Sequence, residues 1–370
     1  MTNVHGYCDR DFSRVADALA ANFAQRGEVG ASVCVFKDGR KVVDLWGGHV
    51  DEARSRLWQE DTLVCMMSVG KGMAAIGIHQ LIERGRIDPN KPVSTYWPEF
   101  AQGGKEEITV HHVLGGTSGA LFADSAPDRS IFDFDEMTAA IALQPAAWPP
   151  GTRGAYQSMT MGFMLGEIIH RVDGRRLETY FQQEIAGPLD IEFGWGLNDD
   201  QVARAADIIP NPGHETLKAF ADPTTNLGRA WHMRPKEPGY YNTEIFRRCV
   251  LPSSNGHGSA RSVATIFAAL LDDDRLVSAE TRERMRSLEW DTLCGMTDRP
   301  YRYGLGFFLS GPPLVPMGPN PRAFGHPGAG GAIGFADPEA RLTFAYAPNF
   351  MCAGAGSGER CIALVDALYS

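Results

Sequence analysis

Lysine is scarce in this 370-residue chain, with 7 residues against 28 arginines, and 45 acidic groups bring the formal net charge to −10. That balance excludes a nucleic-acid partner, because phosphate contacts require a basic surface. Long apolar runs are also missing. The longest blocks, such as 266–271, fall far short of the ~18 residues of a bilayer-spanning helix, so no membrane span is expected. Residues 1–11 lack the basic start, apolar middle and small-residue cleavage site of a secretory signal, which predicts a cytoplasmic protein. The 7 cysteines are dispersed and form no C-x-x-C pair. They read as reduced, mostly buried thiols, with neither a disulfide framework nor a zinc site.

Several catalytic signatures are absent as well. Gly116-Thr117-Ser118-Gly119-Ala120 approaches G-x-S-x-G, but Ala120 breaks it. There is no H-E-x-x-H, no P-loop and no complete G-x-G-x-x-G. An α/β-hydrolase elbow, zinc hydrolysis, nucleotide binding and dinucleotide redox thus lose their usual markers. The adjacent His111-His112 point in different directions on any regular element, which favours packing over metal binding.

What is present is an ordinary globular composition, 44% hydrophobic and 22% charged. A helix is predicted over 9–25, and two β-rich runs, 31–36 and 41–46, join through Asp38-Gly39, a strong hairpin signal. A second β-rich set lies at 303–309, 331–335 and 341–346, followed by a helix over 359–369 with Ile362, Val365 and Leu368 on one side. Between these ends, helical patterns dominate: 69–84, 159–172, 177–185, 262–271 and 279–288. The expected architecture is α/β plus all-α. An antiparallel sheet drawn from both termini (1–66 and 290–370) is flanked by helices, a mainly helical part is inserted (67–289), and a cleft runs between them. The Pro-, Gly- and Asn-rich stretch 210–252 is read as a functional wall or lid.

Three elements carry possible chemistry. Ser68-Val69-Gly70-Lys71 lies where a strand-like run meets a helical pattern. About a third of one S-x-x-K match is expected by chance at this composition, so the context matters more than the match. The three-residue offset puts both side chains on one helix face, and the helix N-terminus favours developing negative charge. The alternative is a capping serine with a solvated lysine. Tyr156, just before a helix, either packs or shuttles a proton beside a serine and a lysine. Gly325-His326-Pro327-Gly328-Ala329-Gly330-Gly331 either turns the chain or exposes backbone N–H donors at a strand edge.

Together with Gly85-Arg86-Ile87-Asp88, Ile108-Thr109-Val110 through Thr117-Ser118-Gly119, Pro150-Gly151-Thr152, Gly187-Pro188-Leu189, and 255–261 (NGHGSAR), this series resembles the serine β-lactamase and penicillin-binding-protein superfamily. Within it the chain is most similar to the class C β-lactamase-like branch that includes family VIII carboxylesterases, over nearly its whole length. The resemblance implies acyl-enzyme catalysis without a cofactor. By position, Ser68 would be the nucleophile, with Lys71 and Tyr156 its proton-transfer system in either order. The backbone N–H groups of Ser68 and Ala329 would form the oxyanion hole, and Ser158, His326 and Gly328 would border the substrate. Two positions depart from the β-lactamase pattern: His326-Pro327-Gly328 stands for K-T-G, and Ser158 for the Asn of Y-x-N. A mostly neutral histidine in place of a charged lysine suits an uncharged ester better than a carboxylate-bearing β-lactam or peptide. The expected partner is therefore a small-molecule ester. A β-lactamase or an amide hydrolase is the alternative on the same machinery, and a non-catalytic binding protein the alternative of another class.

Overall fold

The computed structural model describes residues 4–370 except Pro238 and Pro312. Its strands in chain order are β1 (Val4–Cys8), β2 (Gly30–Lys37), β3 (Arg40–Gly48), β4 (Val64–Cys65), β5 (Phe193–Gly194), β6 (His257–Gly258), β7 (Trp290–Leu293), β8 (Pro300–Tyr303), β9 (Phe308–Leu309), β10 (Phe324–Pro327), β11 (Ile333–Asp337) and β12 (Leu342–Pro348). Nine of them form one antiparallel sheet in the order β1-β3-β2-β12-β11-β10-β9-β8-β7, and β4-β6-β5 form a small second sheet. The β2–β3 turn is at Asp38 (φ +50°) and Gly39 (φ +72°), the double positive φ that matches the twist of a two-residue hairpin.

Pairing of β2 with β12, Lys37 opposite Leu342 through Ala31 opposite Pro348, joins the two distant ends of the chain inside the sheet. The helix Ala260–Asp272 packs against β2, β11 and β12. Thr343 Oγ1 donates to the Ala264 carbonyl at 3.2 Å, which fixes the face this helix covers. Tyr346, one strand position out of phase with Thr343, points the other way, where its hydroxyl donates to Glu28 and Glu28 pairs with Arg360 of the helix Gly358–Leu368. That helix packs on Ser13–Gln25. The sheet is thus covered on both faces. Although Ala260–Asp272 falls within the 67–289 segment, its packing is with the sheet.

Three expectations change in detail. The run 303–309 is two strands, β8 and β9, because the chain turns at Gly306 (φ +94°), whose N–H donates to the Leu114 carbonyl at 2.8 Å. In the last helix, Cys361, Leu364, Val365 and Leu368 form the buried stripe at i, i+3, i+4 and i+7, whereas Ile362 is 40% exposed. His326 and Pro327 end a strand, β10, before the turn begins.

The helix Val69–Glu83 is buried from Val69 through Leu81, as expected of an element enclosed on all sides. It packs on the helix Thr160–Asp173 and touches β10, so it lies between the helical layer and the sheet. No helix among the described residues is long and apolar enough to cross a membrane.

Candidate active site

Ser68 lies where a two-residue strand runs into this enclosed helix. β4 is held by β6, with Val64 opposite Gly258 and Cys65 opposite His257, and the Met66 N–H donates to the Gly256 carbonyl at 2.8 Å. Asn255 braces the same loop. Its Nδ2 donates to the carbonyls of Phe246 (2.7 Å) and Cys249 (3.0 Å), while Oδ1 accepts from the Leu251 N–H. The stretch 255–258 is therefore the scaffold to which the Ser68 strand is clamped. Between clamp and helix, Met67 has φ +50°, a left-handed conformation that costs a non-glycine residue about 1–2 kcal/mol and is concentrated at functional turns.

Ser68 occupies the cap position, yet its side chain makes no capping bond. Lys71 is 0% exposed, which removes the solvated-lysine alternative. Its Nζ lies 2.9 Å from Ser68 Oγ and 2.6 Å from the Ser253 carbonyl, which accepts an N–H. Burial alone holds the Lys71 amine well below the usual lysine range, with no carboxylate offsetting it. A neutral amine has a lone pair, so it can take the proton of the hydroxyl it touches. Ser253 is itself pinned: its hydroxyl donates to the Met159 carbonyl and accepts from the Gly162 N–H at 2.9 Å.

The Tyr156 ring stands under Lys71, 5.1 Å from Nζ to the ring centroid. Burial pushes its phenol well above the usual tyrosine range, and a hydrogen bond with Ser68 pulls weakly the other way. Burial thus disfavours the phenolate and the ammonium alike, which favours Lys71 over Tyr156 as the proton acceptor. Tyr156 is placed by the motif around Ser118. The Ala155 N–H donates to the Gly116 carbonyl at 2.8 Å, the Ser118 hydroxyl donates to Gln157 Oε1, and Gln157 Nε2 donates to the Val113 carbonyl at 2.7 Å. His111 and His112 do not join the site: His111 Nε2 meets Glu289 at 2.8 Å, and His112 closes a capping box with Thr109.

Across the cleft, a Cβ on Gly328 would lie 2.3 Å from the Met66 carbonyl oxygen and 3.2 Å from the Met67 Cβ. Only glycine lets the end of β10 rest on the Ser68 turn. The next N–H, that of Ala329, and the N–H of Ser68 make no hydrogen bond among the described residues. Two unpaired donors beside a serine are the requirement for holding an oxyanion.

A cavity of about 170 Å³ opens here, lined by Ser68, Tyr156, Ser158, Gly328 and Ala329. Ser158 Oγ accepts from Trp231 Nε1 at 2.8 Å. Much of the remaining wall, including Leu217, Phe220, Leu227, Trp231, Tyr240 and Tyr241, comes from the 210–252 stretch. Among the described residues, no Lys, Arg, Asp or Glu is on the wall. His326 is not on it either. It is fully buried behind the cavity, its Nδ1–H donating to the Pro327 carbonyl at 2.8 Å, and burial together with the nearby Lys71 pushes its pKa down to about 3. The sequence did not reveal Ser253, which works through its carbonyl, or Trp231, which stands in a stretch without periodicity.

Comparison with known proteins identifies the family and the fold. The sequence model of the beta-lactamase family matches residues 15–360. The chain is 30% identical over 368 residues to the esterase/beta-lactamase LipL of Mycobacterium tuberculosis, covering 94% of this chain and 83% of that protein. It is 31% identical to esterase EstB of Burkholderia gladioli over 201 residues, covering 48% of this chain and 51% of that one. Among solved structures, a family VIII carboxylesterase superimposes with a TM-score of 0.90 at 34% identity over 99% of both chains. A penicillin-binding-protein homologue from Caulobacter crescentus gives 0.87 at 32% identity, also over 99% of both. The chain belongs to the beta-lactamase family, within the serine β-lactamase and penicillin-binding-protein superfamily, and is a serine hydrolase of that group.

Proposed function

We propose that the protein is a carboxylesterase cleaving small, uncharged esters through an acyl-enzyme. Ser68 Oγ attacks the ester carbonyl as its proton passes to the neutral Lys71 amine, and the N–H groups of Ser68 and Ala329 hold the resulting oxyanion. Collapse expels the alcohol, which takes the proton back from Lys71 with Tyr156 bridging. Water then releases the acid by the same steps in reverse roles.

The observation that carries the ester reading is the uncharged cavity wall. A carboxylate brought onto it loses its water and meets no cation, and His326 is both neutral and out of reach. The names of EstB and the family VIII structure point the same way, and that of LipL joins esterase with beta-lactamase.

The test compares p-nitrophenyl butyrate with a matched carboxylated ester and with nitrocefin. Ser68→Ala should abolish turnover with an unchanged fold, since no capping bond is lost. The neutral ester should lead its carboxylated match by about tenfold or more in kcat/KM. That lead should stay flat from pH 8 to pH 5.5, because His326 does not charge in this window. Nitrocefin turned over faster than the ester, in a Ser68-dependent way, would replace the ester reading with a lactamase one.

A further inference from the structure

The wall of the cavity carries several polar side chains, and among the described residues one side chain on it has a buried polar atom with no hydrogen-bond partner. Ser158 is paired with Trp231, and the Tyr240 and Tyr241 hydroxyls pair with each other. Thr216 and Thr297 are partly exposed and can bond to water. Ser254 is buried against the Met67 thioether at 3.8 Å. His214 differs. It is 1% exposed, and its Nε2 is buried without any partner.

The fold holds this ring firmly. His214 precedes the helix Glu215–Ala221 but makes no capping bond with its side chain. Its backbone forms a parallel bridge with Gly354, and Nδ1 faces the Cys352 thiol at 3.9 Å. Segment 351–356 thus occupies one edge of the imidazole. A buried nitrogen left unpaired is costly, and such a group is normally satisfied by protein, water or ligand. The backbone of Cys352 and Gly354 interacts with the ring but leaves Nε2 unpaired, and the residue borders the space in which the substrate must sit.

We propose that His214 is a specificity-determining residue whose Nε2 takes up a hydroxyl group of the ester. This rests on the ester reading above and names its substrate class more closely: a hydroxylated, uncharged ester. The hydroxyl is favoured because it both donates and accepts, so it pairs with either imidazole tautomer. A carboxylate is disfavoured, because burial lowers the pKa of His214 and keeps the ring uncharged. In mainly apolar surroundings the pairing is selective, since the water a substrate hydroxyl loses on entry is replaced by the His214 ring nitrogen.

The hydroxyl can lie on the acyl or on the alcohol half, and the experiment separates the two. The acyl arm compares p-nitrophenyl 3-hydroxybutyrate with p-nitrophenyl butyrate. The alcohol arm compares 4-hydroxybutyl butyrate with butyl butyrate, followed by release of acid. On one arm, wild type should favour the hydroxylated ester by tenfold or more in kcat/KM, mainly through KM. In His214→Leu that ratio should collapse toward one, and in His214→Gln, which keeps a donor and an acceptor, part of it should return. Equal kcat/KM within each pair in wild type overturns the proposal whether or not the variants fold. So does a preference that survives unchanged in folded His214→Leu. Ser68-dependent turnover of the plain butyrates reports separately on the ester reading, so its failure is not confused with that of the subsite.

Discussion

Two of the chain's seven lysines are fully buried, and they are buried differently. Lys105 donates to three carbonyls, those of Gln102 (2.8 Å), Ala142 (2.9 Å) and Gln144 (2.5 Å), and its Nζ lies 5.1 Å from the Phe100 ring centroid. Lys71 meets one carbonyl and one hydroxyl, also at 5.1 Å from an aromatic ring. Carbonyls only accept, so three of them call for three N–H donors and preserve the ammonium. Burial lowers the pKa of Lys105 only to about 8, with the Glu106 carboxylate pulling the other way, which leaves it mostly charged at pH 7. A hydroxyl can donate, so the Lys71 site tolerates a neutral amine. Both side chains are sealed from solvent, but only Lys105 has a carboxylate offsetting the cost of burial, and only Lys71 touches a hydroxyl it can deprotonate.

The strongest test of this contrast exchanges the two losses. Lys71→Ala should slow ester turnover by about 10²–10⁴-fold, the usual worth of a positioned base. Lys105→Met should keep kcat within about twofold while costing about 1–3 kcal/mol, because carbonyls are left unpaired. Stopped-flow acylation and denaturant unfolding of both variants check the pair, and an inactive but stable Lys105→Met would break the contrast.

A smaller effect sharpens it. Ser253→Ala releases the carbonyl on which Lys71 rests, so kcat should fall about 10- to 100-fold with little change in KM. The acid limb of the pH–rate profile should move as well, because that limb reports protonation of Lys71. A proportional loss at every pH, with the limb in place, would reduce Ser253 to a packing residue.

The smallest effect concerns stability. Burial lowers the Lys71 pKa in the folded protein, whereas in the unfolded chain the amine binds a proton up to about pH 10.4, so folding weakens proton binding here and the site costs stability at neutral pH. Lys71→Met should therefore raise Tm at pH 7 by about 2 °C, and the gain should shrink as the pH approaches 10. Calorimetry at both pH values decides it, and a gain that does not vary with pH would mean the buried amine is charged.

Much of this was legible beforehand because it is local. The Asp38-Gly39 hairpin, the Val69–Glu83 helix and the Ser68–Lys71 offset each follow from residues a few positions apart. β1 was not legible, because Val4-His5-Gly6-Tyr7-Cys8 is a mostly exposed edge strand without alternation. Nor was β10, whose Gly and Pro disguise a strand. The cavity wall could not be read either, since its aromatic residues are gathered from short helices and turns that share no period. The place of His326 behind the wall depends on the packing of Phe308 and Tyr156 against its ring, which spacing does not encode.

The pairing of β2 with β12 also bears on how the protein is made. The β2–β3 hairpin leaves the ribosome early, yet the edge that β12 will cover stays open until about 300 further residues have been synthesised. Over that interval Ala31, Val33 and Val35 present an apolar, unpaired strand to the cell. Shielding of the nascent chain, more than the stability of the finished fold, should then govern its soluble yield, and charged substitutions in the buried centre of β2 offer no remedy.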